Sequence, residues 1–255
     1  MTIALADVTR FLDGFLRTAD VPDEANALNG LQVENSGQVS RVVAAVDASL
    51  ETIEEIPPGD PALLLVHHGL FWDGNVPLTG RRLRRVRTLF ARDIALYSAH
   101  IPLDLHPEVG NNVELARVIG LPVEGWFGAY RGVTIGVWGL APSALTERAA
   151  LVARLDAELQ TRAYLIPGGP AQVRRVGIVT GGAGSMIQAA QAAGLDTFIT
   201  GEGAHHTYFD AMEWGLNVVY AGHYATEQLG VQALARRLQR EFNLPWEFHR
   251  HSTGL

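Results

Sequence analysis

The sequence predicts an α/β protein in two lobes, each a mainly parallel or mixed sheet flanked by helices. Three observations predict it. Short, nearly continuous apolar runs recur at Arg41–Asp47, Ala62–His68 and Ile94–His100, as expected of strands covered on both faces. Amphipathic segments of helical period fit between them. After the loop Ile166-Pro167-Gly168-Gly169-Pro170 the same alternation returns.

The elements follow in order. Residues 4–19 read as a helix, with Leu5, Val8, Phe11, Leu12, Phe15 and Leu16 on one face. Residues 23–33 are polar and read as a loop containing Asn29-Gly30-Leu31-Gln32. Helices are expected near 49–56, between the first two strands, and near 81–92, before the third. A further helix at 112–119 precedes Gly120-Leu121-Pro122, a stop signal. A strand at 133–140 leads to a helix at 144–155. Then come strand 176–180, helix 186–193, strand 197–200, helix 206–214, strand 218–221 and helix 226–242. A boundary near residue 125 divides the chain into lobes 1–125 and 126–255.

Composition narrows the function. The 255 residues are 47% hydrophobic and 18% charged, and contain no Cys. Disulfides, thiolate ligands, iron–sulfur clusters and cysteine nucleophiles are therefore excluded. All 20 positive side chains are Arg, which excludes a Schiff-base lysine and the Lys-bearing phosphate loop. A net charge of −7 disfavours a general binder of nucleic acid or anionic membrane. The chain opens on no basic-then-apolar leader, and no apolar run approaches the ~20 residues of a membrane span. The expectation is a soluble, cytoplasmic protein with no membrane partner.

Chemistry concentrates at strand ends. His67-His68 closes the run Leu63-Leu64-Leu65-Val66. His100 and Asp104 follow the next run with four-residue spacing, and His223 and Glu227 repeat that spacing later. In doubly wound sheets, sites collect at the carboxyl ends of strands. Imidazole and carboxylate together suit divalent Zn, Mn, Fe, Co or Ni, and a set of this size is enough for two ions. Adjacent strand residues face opposite ways, so His67 and His68 can both ligate only where the strand ends, as Gly69 suggests. The plainer readings are a core histidine beside a surface one, a capped turn at Asp104, and Glu227 as a helix-start acid.

Other features carry less. The Gly-rich turn Thr180–Ser185 can bind an anion or simply turn; its glycines lack the G-x-G-x-x-G order. Glu202 ends a strand near the cluster, as a base or as a partner for a ligand. His205 and His206 open a helix, and His249 and His251 look peripheral. The basic run Arg81–Arg87 reads first as a solvated helix face, with a phosphate or an acidic subunit surface as its other occupants.

Five motifs then carry a resemblance: Asn29-Gly30-Leu31-Gln32-Val33, Val66-His67-His68-Gly69, His100-Ile101-Pro102-Leu103-Asp104, Thr200-Gly201-Glu202 and Gly222-His223-Tyr224-Ala225-Thr226-Glu227. In this order they resemble the Nif-three-like dinuclear metal centre proteins, some of which carry the name GTP cyclohydrolase I type 2 homologue. The resemblance covers nearly the whole chain, which has no room for the domain that larger members insert between the halves. It implies a toroidal homohexamer and two divalent ions per chain. The implied metal ligands are His67, His68, Asp104, His223 and Glu227, with His100 beside the site. His100 and Glu202 are the candidate proton-transfer residues. The expected function is metal-dependent hydrolysis of a small phosphorylated or nucleotide substrate, by ring opening of the cyclohydrolase type or by phosphoester cleavage. The alternative is a non-enzymatic metal-binding, regulatory or scaffold hexamer.

Overall fold

The computed structural model describes residues 2–254. In chain order the first elements are β1 (Ile3–Ala4), α1 (Leu5–Leu16), β2 (Gly30–Val33), β3 (Gln38–Val39), β4 (Arg41–Asp47), α2 (Leu50–Glu55), β5 (Ala62–His68) and α3 (Gly80–Ala91). Next are β6 (Ile94–Ser98), α4 (Ile101–Asp104), α5 (Asn111–Ile119), β7 (Gly125–Tyr130), β8 (Val133–Leu140), α6 (Arg148–Leu159) and β9 (Tyr164–Pro167). The last are β10 (Arg175–Ile178), α7 (Ile187–Ala192), β11 (Thr197–Thr200), α8 (Thr207–Glu213), β12 (Asn217–Tyr220), α9 (His223–Phe242) and β13 (Trp246–Phe248). The fold is α/β with mixed sheets flanked by helices, as the sequence predicts.

The chain forms two compact units: Met1–Leu103 with Val231–His251, and Asp104–Gly230 with Ser252–Leu255. The sequence places its single boundary near residue 125. Asp104 opens the second unit rather than belonging to the first. The first unit is discontinuous because β13, which follows α9, pairs with β4 as an edge strand of its sheet.

In the first unit the sheet order is β13-β4-β5-β6-β2. β13, β4, β5 and β6 run parallel and β2 closes one edge antiparallel. β5 is buried on both faces, which is why Leu63-Leu64-Leu65-Val66 reads as an unbroken apolar run. Each such side chain contributes about 1.5–3 kcal/mol of burial. Ile53, Leu64, Leu89 and Leu96 form the core on one side of this sheet. The sequence presents β2 as loop and does not separate β13. Both are short edge strands, and neither shows the continuous apolar signature of a central one.

In the second unit the order is β7-β8-β10-β11-β12-β9. β10, β11 and β12 are parallel, while β7, β8 and β9 are antiparallel. Leu115, Leu151, Leu155, Val176 and Ile199 belong to its core. α5 ends at Gly120 (φ 80°), whose N–H bonds back to Ala116 and Arg117, so the expected stop is a left-handed cap. Pro167 ends the edge strand β9 in the stretch the sequence presents as loop.

Candidate metal centre

In the first unit, His67 and His68 are the last residues of β5, and His100 lies two residues beyond β6. Their ligand nitrogens lie within 4.8 Å of one another. The His67 ring centroid is 4.8 Å from that of His68 and 5.0 Å from that of His100. The chain turns at Gly69 because Gln32 crosses there. A Cβ on Gly69 would stand 2.2 Å from Gln32 Oε1. That oxygen accepts from Leu70 N at 2.8 Å, while Gln32 Nε2 donates to the Ala27 and Leu28 carbonyls at 3.0 Å. The Asn29–Gln32 motif is therefore a clamp on the loop that follows the histidine pair.

Each ring is held through Nδ1. His67 Nδ1 donates to the Ala99 carbonyl at 2.8 Å. His68 Nδ1 meets Asp47 Oδ1 at 2.9 Å, from the paired position on β4. His100 Nδ1 meets Asp23 Oδ1 at 2.8 Å. Carbonyls and ionised carboxylates only accept, so Nδ1 carries the proton. Nε2 then holds the lone pair of the neutral ring, the arrangement that orients metal-binding histidines. Asn29 supports this, accepting from His100 N at 2.7 Å and donating to Asp23 at 2.8 Å. Burial alone would raise the Asp23 pKa. The His100 hydrogen bond and charge, with Asn29 and the Glu24 amide, outweigh it and hold the carboxyl below its ordinary range. Trp72 makes T-shaped contacts with His68 and His100, at 5.9 and 4.9 Å between centroids.

In the second unit, α9 begins at His223, so Glu227 falls one turn later on the same face. His223 Nε2 lies 3.1 Å from Glu227 Oε2, and Nδ1 lies 2.8 Å from Glu202 Oε1. Glu227 is only 3% exposed. Burial lowers the His223 pKa, but hydrogen bonds and attraction from Glu227 and then Glu202 more than reverse this, raising it to about 9. Asp104 is buried in the same unit. Its Oδ1 accepts from Asn111 Nδ2 at 2.8 Å and from Thr180 Oγ1 at 3.4 Å.

The turn beginning at Thr180 serves this carboxylate geometry. Gly181 has φ +69°, and a Cβ there would stand 2.0 Å from Glu227 Oε1. Three of the turn's amides are taken up within the protein. Thr180 N donates to Asn112, Gly181 N to Thr226 and Ala183 N to Thr200.

The structure thus brings His67, His68 and His100 together in the first unit and His223, Glu227 and Glu202 together in the second. Asp104 is buried in the second, held by Asn111 and Thr180. His205 and His206 are exposed, with His205 against Phe209. His249 faces Glu55 and Glu247, and His251 faces Glu51 and Glu55. Sequence reasoning misses Asp23, Asp47 and Trp72. No local spacing points to the two aspartates, which lie 77 and 21 residues from their histidines. The groups fit a divalent cation: neutral imidazoles with Nε2 as acceptor and a buried carboxylate are ordinary nitrogen and oxygen ligands. No helix among the described residues is long and apolar enough to cross a membrane.

Residues 3–253 match the model of the family Duf34/NIF3 (NGG1p interacting factor 3). A Deinococcus radiodurans protein called GTP cyclohydrolase 1 type 2 homolog is 43% identical over 251 residues, covering 98% of this chain and 94% of that one. A protein of the same name from Archaeoglobus fulgidus is 41% identical, covering 98% and 99%. Among solved structures, the protein ybgI, described as of unknown function, aligns with a TM-score of 0.91 at 35% identity, covering 99% of this chain and all of that one. TTHA1606 from Thermus thermophilus aligns at 0.86 with 40% identity and the same coverage.

Proposed function

The chain belongs to the Duf34/NIF3 family, and from that premise we propose that it is a divalent-metal-dependent hydrolase acting on a nucleotide-like substrate. We assign His67, His68, Asp104, His223 and Glu227 as the ligands of a dinuclear centre. One observation carries the reading: His67 and His68 both commit Nδ1 to an acceptor, which presents Nε2 as the ligating atom, while His223 commits Nδ1 to Glu202 and turns Nε2 to Glu227, 3.1 Å away.

When bound, divalent ions supply Lewis-acid polarisation of substrate and lower the pKa of a water. The remaining roles fall to the chain. Five protein donors leave coordination positions for water or substrate. Asp23 keeps the proton of His100 on Nδ1, so Nε2 is the atom at which His100 takes a proton from the attacking water. Glu202 orients His223 through Nδ1 and is assigned as a positioning group. The name carried by the curated relatives supports a purine nucleotide and ring-opening hydrolysis. We also propose that the working form is a homohexamer.

The test is elemental analysis of protein purified without added metal or a His tag, comparing wild type with the His67→Ala/Glu227→Ala double variant. Near two divalent ions per chain in wild type, largely lost in the variant, are expected. No metal in either after anaerobic reconstitution would overturn the assignment. Turnover of a nucleotide panel that disappears in His223→Ala, with the oligomer intact by sedimentation, tests the hydrolase step. Failure of every nucleotide and phosphoester would leave a metal-binding assembly without that activity.

A further inference from the structure

Two helix faces, one in each unit, turn apolar side chains and opposite charges outward. On α3, Leu83, Arg87 and Phe90 are exposed at the i, i+4, i+7 spacing of one helical face, with Arg84 beside them. Arg81 is engaged with Asp73, and Arg82 with the Val76 and Gly74 carbonyls. Arg84 and Arg87 make no ion pair among the described residues. On α8, Thr207 and Ala211 face inward and are buried. Tyr208, Phe209 and Met212 are left outside, 42, 50 and 42% exposed. Glu213 is exposed and Asp210 partly so, and neither makes an ion pair among the described residues. An outward aromatic stripe is the reverse of an ordinary surface helix and marks a contact surface.

The two faces match in charge, spacing and hand. Arg84 and Arg87 are three positions apart, and so are Asp210 and Glu213, which is about 4.5 Å of rise on either helix. At about 100° per residue, each face divides lengthwise. On α3 the two arginines take one flank, and Leu83 with Phe90 the other. On α8 the two acids take one flank, Met212 with Tyr208 the other, and Phe209 lies between. Laid parallel, the faces would set the arginines on the apolar flank. Laid antiparallel, they set Arg84 against Glu213 and Arg87 against Asp210, with Leu83 beside Met212 and Phe90 beside Tyr208. Two copies of α3 would instead set arginine against arginine, which is repulsive.

We propose that α3 of one copy of this chain docks antiparallel on α8 of a second copy, through these two ion pairs and the apolar strip beside them. The faces are unlike, so the contact is head-to-tail, and repeated about an axis it closes a ring. The contact rests on the homohexamer reading, for which it supplies one interface, and is independent of the metal centre. Phe209 and its neighbours supply the desolvated middle, while the charges fix orientation and partner.

The experiment is sedimentation velocity at low salt on the full chain as wild type, as Arg84→Glu/Arg87→Glu, as Asp210→Arg/Glu213→Arg, and as an equimolar mixture of the two doubles. Either double alone sets like charges at every contact and should weaken association at least about tenfold. In the mixture, reversed α3 meets reversed α8 and native α3 meets native α8. Alternating copies should therefore restore the wild-type assembly, which misfolded chains could not do. Phe209→Gln should weaken association in wild type and in the mixture alike. Metal uptake and far-ultraviolet circular dichroism should be unchanged in the doubles. Should a double fail to fold, the single reversals Arg87→Glu and Asp210→Arg carry the same test with half the charge change. Wild-type assembly by both doubles overturns the contact and leaves the homohexamer to other surfaces. Weakened doubles that the mixture does not rescue overturn the pairing of these two faces. A monomeric wild type overturns the contact and the homohexamer together.

Discussion

Gly181→Ala is the most demanding test of how the second unit's carboxylate is held. The backbone is left-handed at this position, with φ +69°, and an L-residue in that region costs about 1–2 kcal/mol. The added methyl would also stand 2.0 Å from Glu227 Oε1, about 1.4 Å short of ordinary contact. Glu227 is buried, with His223 beside it, so the carboxylate cannot retreat into solvent. Ligand geometry tolerates displacement of only about 0.5 Å. Two outcomes are therefore expected together. Backbone strain should lower the melting temperature by roughly 2–8 °C, at about 2–4 °C per kcal/mol for a chain of this size. Displacement of Glu227 should weaken metal uptake at least about tenfold, measured by competition with a chromophoric chelator. The control is Gly14→Ala within α1, where a Cβ meets nothing within 4 Å. That substitution should stabilise by about 0.5–1 kcal/mol and leave metal uptake unchanged. A Gly181→Ala protein with wild-type melting and wild-type metal affinity would refute the argument that this glycine exists to admit the carboxylate.

Other predictions follow from the same geometry. The raised pKa of about 9 places a proton on His223 in metal-free protein at neutral pH, so uptake there should release it. Calorimetry in buffers of different ionisation heat should show that release shrinking above pH 9, and no release at pH 7 would contradict the assignment. The same shift stabilises metal-free protein fully below about pH 6.5 and is lost as pH rises through about 9. Asp47→Ala removes the acceptor of His68 Nδ1 at a half-exposed carboxylate. It should reduce metal affinity about 10- to 100-fold while changing stability by less than about 0.5 kcal/mol. Burial and then Asp13 raise the Tyr97 pKa, so the neutral phenol stabilises the fold below about pH 10 and that contribution is lost above it. Ultraviolet titration should show Tyr97 ionising only with alkaline unfolding, and Tyr97→Phe should remove that late step; full ionisation in the folded protein would disprove it.

Central strands are legible because double-sided burial writes itself into the chain: the expected 41–47, 62–68, 133–140 and 197–200 agree with β4, β5, β8 and β11. The histidine clusters are legible for a related reason, since strand ends are where an apolar run gives way to polar residues. Edge strands are not. β2 pairs on one side only and carries Gly30 and Gln32, whose roles are turning and clamping rather than packing. The carboxylates behind the rings are equally hidden, because Asp23 and Asp47 reach their histidines through folding alone. The sequence also places the last long helix three residues late: with α9 beginning at His223 rather than Thr226, His223 and Glu227 share a helical face.

The first unit is discontinuous in the chain, built from residues up to 103 and then from 231 onward. Order of synthesis therefore opposes order of completion. By the time Leu103 leaves the ribosome, β4, β5, β6 and β2 exist, but the strand that covers the outer edge of β4 does not. At about 5–20 residues per second, Val231 follows on the order of 6–25 s later. Through that interval the apolar β4 edge is open to pairing with another nascent chain. A protein expressed as its first 103 residues would remain in that state, so fragments intended to isolate the histidine cluster need the 231–251 segment supplied in trans or by circular permutation.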